Sequence, residues 1–333
     1  MPAFNEQAQI GACLDQITRQ DYPAEAIRIW VVDAGSTDGT AAVVRARPER
    51  NIVLVALGRR LNAAEAMNAG IGRGEAPLVA RVDAHTRLDA GYLRCAADAL
   101  AREGAELACV GGQPEQVGET RFGRALALAR RSPFGVGHSV YADPRERAYV
   151  DTVQAGVYRR AALEAAGGFS EAMLVGEDEE LNWRLRRAGY RVLLDTSLRF
   201  SYTTRSSWSG AFRQYRNYGR SRARVLAAHP AFVRPRHVAP SALVVGLVAL
   251  GAASTRWRAA RTALALASAG YGSAAARAGL RAARSEEPAL ALPVAAAFTA
   301  LHLGYGVGLM SGAGELAVAA LRRNQPARAV ARR

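Results

Sequence analysis

Residues 31–40 read VVDAGSTDGT, an apolar pair followed by a loop of aspartates, glycines and other small residues. Asp33 stands at the end of an apolar run, and Gly35 and Gly39 come before the next helix pattern. A carboxylate at the end of a buried strand can contact a ribose or a base edge, while glycines let the backbone approach a ligand closely. Loops of this composition also serve as ordinary turns, so the stretch alone leaves both interpretations open.

The segments around this loop alternate between apolar runs and helix patterns. The apolar runs predict buried parallel strands, and they are RIWVVD (28–33), NIVLVAL (51–57), PLVARVD (77–83) and ELACVGG (106–112). The helix patterns place apolar residues on one face: Ile10, Leu14 and Ile17, then Ala64, Met67 and Ile71, then Leu93, Ala96 and Leu100. The alternation predicts an α/β open sheet with Asp33 and Asp83 at the carboxyl ends of strands, where ligands bind.

The composition excludes several kinds of chemistry. The chain has 333 residues, half of them hydrophobic, and all 44 of its basic residues are arginines. Because lysine is absent, a P-loop phosphate site and a Schiff-base mechanism are excluded. Cys13, Cys95 and Cys109 have neither metal-binding nor redox spacing, so we expect reduced thiols in a cytosolic compartment.

The net charge of +15 is concentrated in the C-terminal part of the chain. Residues 1–199 hold 25 arginines and 26 acidic residues, for a net charge of −1. Residues 200–333 hold 19 arginines and three glutamates, for a net charge of +16. Because long apolar runs separate these arginines, the pattern favours an anionic membrane surface over nucleic acid as the partner.

Residues 207–226 suit an amphipathic helix. Phe212, Tyr215, Gly219 and Leu226 fall on one side of it, and another side carries an arginine stripe made of Arg213, Arg216, Arg220 and Arg224. Such a helix is typical of a membrane interface. The same pattern is also found on the solvated face of an ordinary helix, and the sequence leaves both interpretations open.

Three uncharged stretches follow, at residues 238–254, 262–276 and 288–314. The last is long enough to span a bilayer, the first is borderline and the middle one is short, so the sequence predicts two or three transmembrane helices. Gly304, Gly308 and Gly312 are spaced by four residues. This spacing predicts a face on which another helix approaches closely.

Two further stretches carry side chains suited to catalysis. Asp83 and His85 lie two residues apart, so they would point the same way if their strand continues, and together they suit Mg²⁺ or Mn²⁺. The alternative is that Asp83 caps a loop and His85 lies on the surface. In GEDEEL (176–181) one carboxylate can act as a general base, or the acids can serve the dipole of the following helix. Spacing alone does not choose between Glu177 and Asp178.

Taken together, these stretches resemble one family. PAFNE (2–6), VVDAGSTDGT (31–40), DAH (83–85) and GEDEELNWRLRRAG (176–189) are similar, in order and separation, to the motifs of family 2 glycosyltransferases with the GT-A fold. With RQYRNYGRSR (213–222) and HLGYGVG (302–308), the chain most resembles membrane-bound glucosyltransferases of succinoglycan-type exopolysaccharide synthesis. The resemblance implies a Rossmann-like open mixed sheet with flanking helices, followed by C-terminal interfacial and transmembrane helices.

The resemblance also implies where the donor binds. Pro2, Asn5 and Glu6 would border the nucleotide site, with Asp33 and Asp38 near the uracil and ribose of a UDP-sugar. Asp83 would be the first residue of the metal-binding Asp-x-Asp motif for Mg²⁺ or Mn²⁺, and His85 replaces its last aspartate as a candidate ligand. Further cofactor-binding residues are expected at three positions in the arginine-rich segment: Gln214, Arg216 and Arg220.

For catalysis, the resemblance selects Asp178, with Glu177 beside it, as the base. Processive members of the family continue with Gln-x-x-Arg-Trp, whereas Gln214 is followed here by Asn217 and Tyr218 at the Arg and Trp positions. We therefore expect a non-processive enzyme. Family members also place an apolar strand before the PAFNE-like motif, so we expect the native start to lie upstream of Met1.

The resulting prediction is an inverting transfer of a sugar, glucose being favoured, from a UDP-sugar to a lipid-linked glycan in exopolysaccharide synthesis. The expected location is the inner membrane with a cytoplasmic catalytic domain, and a polysaccharide-assembly complex is a further expected partner. The predicted domains are 1–205 (catalytic), 206–237 (interfacial helix), 238–314 (membrane segments) and 315–333 (basic tail). The alternatives are a polyprenyl-phosphate sugar transferase and a non-catalytic nucleotide-sugar-binding component of such a complex.

Overall fold

The chain divides into two units whose segments are not contiguous in sequence. The computed structural model describes residues 1–136, 147–173, 176–228, 230 and 233–323. The first unit comprises Met1–Val117 and Ser139–Thr203, and the second comprises Gly118–His138 and Thr204–Arg333. The helical segment that follows Val117 therefore groups with the C-terminal residues, although the predicted domain 1–205 includes it.

The first strands of the chain form a parallel sheet. Strands β1 (Pro2–Ala3), β2 (Ile29–Asp33) and β3 (Ile52–Ala56) lie in the order β1-β2-β3, and both pairs are parallel. The predicted direction of β2 and β3 is thus confirmed. Because β2 lies in the centre and ends at Asp33, the loop after it starts at the carboxyl edge of this sheet.

Two helices begin beside that loop. Helix α1 (Ile10–Thr18) buries Ile10, Leu14 and Ile17 as the spacing predicts, and helix α2 (Thr40–Arg45) starts where the loop ends. Helix α3 (Ala63–Ile71) begins with a reciprocal capping box. In this box Asn62 Oδ1 accepts the Glu65 N–H at 2.9 Å, and the Asn62 N–H donates to Glu65 Oε2 at 2.8 Å. Two backbone N–H groups that the helix itself leaves unpaired are thereby satisfied.

The second sheet of this unit is mixed. Its order is β4 (Leu78–Ala80), β8 (Gln154–Arg159), β6 (Leu107–Val117), β9 (Arg191–Thr203) and β5 (Arg87–Leu88), and β7 (Ala148–Tyr149) also pairs with β9. β6 and β9 are parallel, whereas the other pairs are antiparallel. The flanking helices are α4 (Tyr92–Glu103), α7 (Arg160–Ala165) and α8 (Glu177–Arg187). This mixed sheet agrees with the predicted fold class.

One prediction about a single strand is wrong, and a second is confirmed on one side only. The run 77–83 was expected to form a parallel strand, but β4 pairs antiparallel with β8 and ends at Ala80, before Asp83. The run 106–112 was also expected in a parallel arrangement, and β6 is parallel to β9 but antiparallel to β8. A short apolar run can pair in either direction, so its composition does not reveal the direction.

The second unit is helical. It contains α5 (Arg121–Arg131), α6 (Pro133–Val136), α9 (Trp208–Ala228), α10 (Pro235–Ser254), α11 (Arg258–Ala283) and α12 (Ala291–Arg323). Leu126, Tyr215, Val294, Phe298 and Leu301 are among its buried core residues. Within the described part of the chain, His237–Ser254 and Pro288–Leu321 are long and apolar enough to cross a membrane, by length and composition alone. The predicted stretch 262–276 lies in α11, which is not among these candidates.

The glycines spaced by four in α12 pack directly against α9. A Cβ atom added to Gly308 would lie 2.0 Å from the Arg216 carbonyl oxygen, and one added to Gly312 would lie 2.5 Å from the Arg220 carbonyl oxygen. From the other side, a Cβ atom on Gly219 of α9 would lie 2.1 Å from the Tyr305 carbonyl oxygen. The predicted close approach is confirmed, and the partner is the arginine-rich helix α9.

We predict that Gly308→Ala lowers the stability of the second unit, because the added methyl group forces the backbones of α9 and α12 apart. The expected loss is about 1–3 kcal/mol, as for overpacked cores, measured as a lower thermal unfolding midpoint. Gly314→Ala is the matched control, since it lies in the same helix with nothing within 4 Å of its added Cβ atom. The control should be neutral or slightly stabilising. Equal midpoints for the two variants would contradict the close contact.

Candidate active site

The PAFNE segment and the loop after β2 are joined by short hydrogen bonds. The Asn5 N–H donates to Ser36 Oγ at 3.0 Å, and the Thr37 N–H donates to Asn5 Oδ1 at 2.8 Å. The Glu6 N–H donates to Thr40 Oγ1 at 2.8 Å. Asn5 adopts a left-handed backbone with φ of 55°, which asparagine tolerates better than most residues. The two predicted nucleotide-site segments therefore form one surface.

Asp33 and Asp38 have different roles in this surface. Asp33 Oδ1 accepts the Ser36 N–H at 3.0 Å, which closes a turn at the end of β2. Asp38 accepts the Thr40 N–H at 3.0 Å and the Gln7 N–H at 3.2 Å, so both of its oxygens brace the loop. The hydrogen bond from the Thr40 side chain lowers the pKa of Asp38. The contact of either aspartate with a nucleotide stays a prediction.

The centre of the candidate site is one guanidinium shared by three carboxylates. Arg81 Nη2 lies 3.1 Å from the carboxylates of both Asp83 and Glu177, and Arg81 Nη1 is paired with Asp178 Oδ2. The side chains of Arg81 and Glu177 are 13% and 8% exposed. The structure thus brings together two predicted regions that are more than ninety residues apart in sequence. When all three carboxylates are ionised, the cluster has one positive and three negative charges.

The two predicted catalytic residues occupy the first turn of α8. Gly176 precedes them with φ of 82°, a left-handed conformation that favours glycine and directs the chain into the helix. The four acids from Glu177 to Glu180 are placed favourably for the helix dipole. Glu180 also pairs with Arg184 one turn later, at 2.7 Å. Glu177 and Asp178, in contrast, pair with Arg81.

Asp178 has the properties of a general base. Burial raises the pKa of Asp178 to about 8, against the opposing effect of Arg81 and with further contributions from Glu177 and Asp83. Its Oδ1 atom is buried and has no hydrogen-bond partner among the described residues. A carboxylate oxygen of raised proton affinity that Arg81 does not occupy can accept a proton from a bound hydroxyl group.

Asp83 and His85 do not continue a strand, because β4 ends at Ala80. The condition under which a strand would align their side chains is therefore not met, and the Thr86 N–H donates to the Asp83 carbonyl oxygen in a turn, at 2.9 Å. His85 Nδ1 lies 3.0 Å from Glu6 Oε1. A carboxylate in this position fixes the ring orientation of metal-binding histidines and makes Nε2 the lone-pair nitrogen.

These residues fit a divalent cation if the ligand supplies further donors. Within the described residues, no group of three or more His, Cys, Asp or Glu side chains could hold a metal by itself. Asp83 and His85 offer one oxygen and one nitrogen donor, and Mg²⁺ commonly completes its shell with substrate phosphates and water. The surplus of negative charge around Arg81 also favours a cation. The donor set is therefore suited to a metal that arrives with a diphosphate.

The remaining predicted cofactor-binding residues lie elsewhere in the chain. Pro2 pairs with Val32 in the parallel sheet. Gln214, Arg216 and Arg220 lie on α9, in the second unit. The Gln214 side chain donates to the Tyr218 hydroxyl at 3.0 Å, and Arg220 donates to Glu315 at 2.9 Å. Their contribution to donor binding stays a prediction.

Two arginines of the first unit that were not predicted as site residues lie beside the predicted ones. Arg81 organises the carboxylate cluster, and its signal was present as the charged residue inside the apolar run PLVARVD. Arg60 lies beside the loop after β2, where its guanidinium covers the Phe4 ring and donates to the Ala34 carbonyl oxygen at 2.9 Å. A lone charge in a buried run is the pattern to look for, because burial requires a partner for it.

Comparison with known proteins gives consistent results. Residues 1–165 match the model of glycosyl transferase family 2. The chain is 33% identical to the succinoglycan biosynthesis protein ExoA of Rhizobium meliloti (strain 1021), over 76% of each chain. It is also 26% identical to a dolichyl N-acetyl-alpha-D-glucosaminyl phosphate 3-beta-D-2,3-diacetamido-2,3-dideoxy-beta-D-glucuronosyltransferase of Methanococcus voltae, over 66% of this chain and 70% of that one.

Among solved structures, the mannosyltransferase PcManGT from Pyrobaculum calidifontis in complex with GDP-Man and Mn²⁺ has a TM-score of 0.60. It is 20% identical and covers 91% of this chain, with 85% of its own length matched. At this identity the likeness supports the fold alone. The fold and enzyme class that the sequence motifs predict are thereby confirmed, and the chain belongs to glycosyltransferase family 2, with the GT-A fold.

Proposed function

We propose that the protein is an inverting glycosyltransferase that moves a sugar, glucose being favoured, from a UDP-sugar to a hydroxyl group of a lipid-linked glycan. The observation that carries this proposal is the buried Asp178, which shares Arg81 with Asp83 and keeps Oδ1 without a described partner. Such a transfer requires a base near the donor site, and the shared Arg81 brings Asp178 close to Asp83.

In the proposed reaction, Asp178 Oδ1 accepts the proton of the acceptor hydroxyl as the hydroxyl oxygen attacks the anomeric carbon. The new carbon–oxygen bond forms on the face opposite the departing UDP, so the configuration at that carbon is inverted. Asp83 and His85 would hold Mg²⁺ or Mn²⁺, which when bound neutralises charge on the leaving diphosphate. Glu6 keeps the His85 ring oriented for this role.

The choice of acceptor is supported by the relatives. The Rhizobium protein is named for succinoglycan biosynthesis, and the name of the Methanococcus protein describes transfer to a sugar carried on a dolichyl phosphate. These names favour a lipid-linked sugar over a bare polyprenyl phosphate as the acceptor. The apolar helices His237–Ser254 and Pro288–Leu321 are compatible with an enzyme at the inner membrane, acting from the cytoplasmic side.

We predict that Asp178→Asn reduces sugar transfer by about 10²–10⁴-fold, because an amide cannot accept the proton of the acceptor. The dissociation constant for UDP-sugar, measured by titration calorimetry, should stay within a few-fold of the original value. Glu179→Gln, on the same helical turn, is the matched control and should keep its activity. Transfer near the original rate in the Asp178 variant would show that another group is the base.

A second prediction concerns pH. Because the base works only when deprotonated and burial raises the pKa of Asp178 to about 8, kcat/KM should fall as the pH falls through this region. Glu177→Gln removes a neighbouring negative charge, so this limb should move to lower pH by on the order of one unit. Glu179 raises the pKa of Asp178 less than Glu177 does, so Glu179→Gln should shift the acid limb by a smaller amount. A limb that stays in place or moves to higher pH contradicts the assignment.

A third prediction concerns the metal. Asp83→Asn should abolish binding of Mn²⁺ in the presence of UDP, measured by electron paramagnetic resonance, because it removes the charged oxygen donor. Glu6→Gln should weaken binding by about 10–100-fold, since it removes the partner that orients His85. Asp89 is exposed, so Asp89→Asn is the control, and the Mn²⁺ affinity of this variant should not change. Unchanged affinity in the Asp83 variant would place the cation elsewhere.

A further inference from the structure

Arg81 contacts both Asp83, which the proposed function assigns to the donor site, and Asp178, which it assigns as the base. The inference below therefore rests on the proposed function. Nη2 contacts Asp83 and Glu177 at 3.1 Å each, while Nη1 is paired with Asp178. The backbone is anchored separately, because the Arg81 N–H donates to the Gly156 carbonyl oxygen at 2.9 Å. Side chain and backbone are therefore held by different partners.

The three carboxylates set the position of the guanidinium. Arg81 Nε is buried and has no hydrogen-bond partner among the described residues, so the contacts through Nη1 and Nη2 hold the group. With Arg81 removed, three acids would face one another in a largely buried space, and like charges at such a distance favour protonation. If Asp83 exchanges Arg81 for another partner, the rigid, planar guanidinium changes its pairing with Asp178 as well.

We propose that Arg81 is a positioning residue that couples the donor site to the base. With the Asp83 carboxylate engaged by a divalent cation, Arg81 would give up that ion pair and keep only its pairs with Asp178 and Glu177, which holds Asp178 as a carboxylate with Oδ1 directed to the acceptor. Before the donor complex binds, the guanidinium is shared between Asp83 and the α8 carboxylates Glu177 and Asp178. The acceptor is thereby activated in step with occupation of the donor site.

The proposal makes opposite predictions for metal binding and for catalysis in Arg81→Gln. Because Arg81 competes with the cation for Asp83 and repels it, the variant should bind Mn²⁺ with UDP several-fold more tightly. Its kcat should nevertheless fall by about 10–100-fold, the usual effect of removing the partner of a functional group. The acid limb of kcat/KM should also move to higher pH, because Asp178 loses its counter-charge.

Arg81→Lys keeps a positive charge but offers a compact ammonium in place of the planar fork. It should therefore restore part of the lost kcat while binding Mn²⁺ less tightly than Arg81→Gln. Arg160→Gln is the matched control, because the Arg160 side chain is 15% exposed and donates to the carbonyl oxygens of Ala76 and Ile71. Its thermal midpoint should fall, while its Mn²⁺ affinity stays unchanged.

The decisive comparison is Mn²⁺ affinity, measured with UDP by electron paramagnetic resonance, against kcat for the same variants. Tighter binding with a lower kcat in Arg81→Gln, partly reversed in Arg81→Lys, supports the coupling. Parallel loss of both properties, or an unchanged kcat, overturns it. If the unmodified protein turns over no UDP-sugar, the proposed function fails, whereas the Mn²⁺ affinities still show whether Arg81 competes for Asp83. Should Arg81→Gln not fold, the smaller changes in Arg81→Lys serve the same comparison.

Discussion

The candidate site depends on the convergence of three carboxylates, two of them largely buried, on one guanidinium. Asp83, Glu177 and Asp178 come from the chain after β4 and from the start of α8, and without Arg81 their charges would repel one another in a space of low polarity. Arg81 therefore permits these two elements to converge. The same constraint explains why a charged residue is found next to an apolar strand of only three residues, Leu78–Ala80.

The acidic start of α8 combines two electrostatic effects with different consequences. The helix dipole favours negative charge over the whole first turn, so it does not distinguish Glu177, Asp178 and Glu180 from one another. Neighbouring side chains do distinguish them. Glu180 is tied to Arg184 on its own helix, whereas Asp178 faces Arg81 and has one oxygen without a described partner. A structural acid and the proposed base thus lie within the same helical turn.

Much of this arrangement could be predicted from sequence, because helix faces follow from periodicity and site motifs from local composition. The buried face of α1 and the close approach at Gly308 are confirmed on that basis. The direction of β4 could not be predicted, since a short apolar run can pair with its neighbour in either direction. The pairing of Arg81 with α8 could not be predicted either, because its partners there are more than ninety residues away in sequence. Residue spacing within a motif carries no information about so distant a contact.

In the proposed metal site, His85 stands where the family motif has its last aspartate, which changes the charge offered to a cation, and Glu6 lies beside it. A neutral imidazole lowers the negative charge around a cation by one relative to a carboxylate, which weakens attraction for Mg²⁺ more than for Mn²⁺, because Mn²⁺ accepts nitrogen donors more readily. Glu6 places a negative charge next to the ring, with its Oε1 atom 3.0 Å from His85 Nδ1. Since the Glu6 N–H donates to Thr40 Oγ1, the proposed metal site and the loop after β2 are linked through Glu6. Under the proposed function, a nucleotide that contacts this loop would also restrain the imidazole, so that donor and cation favour each other's binding.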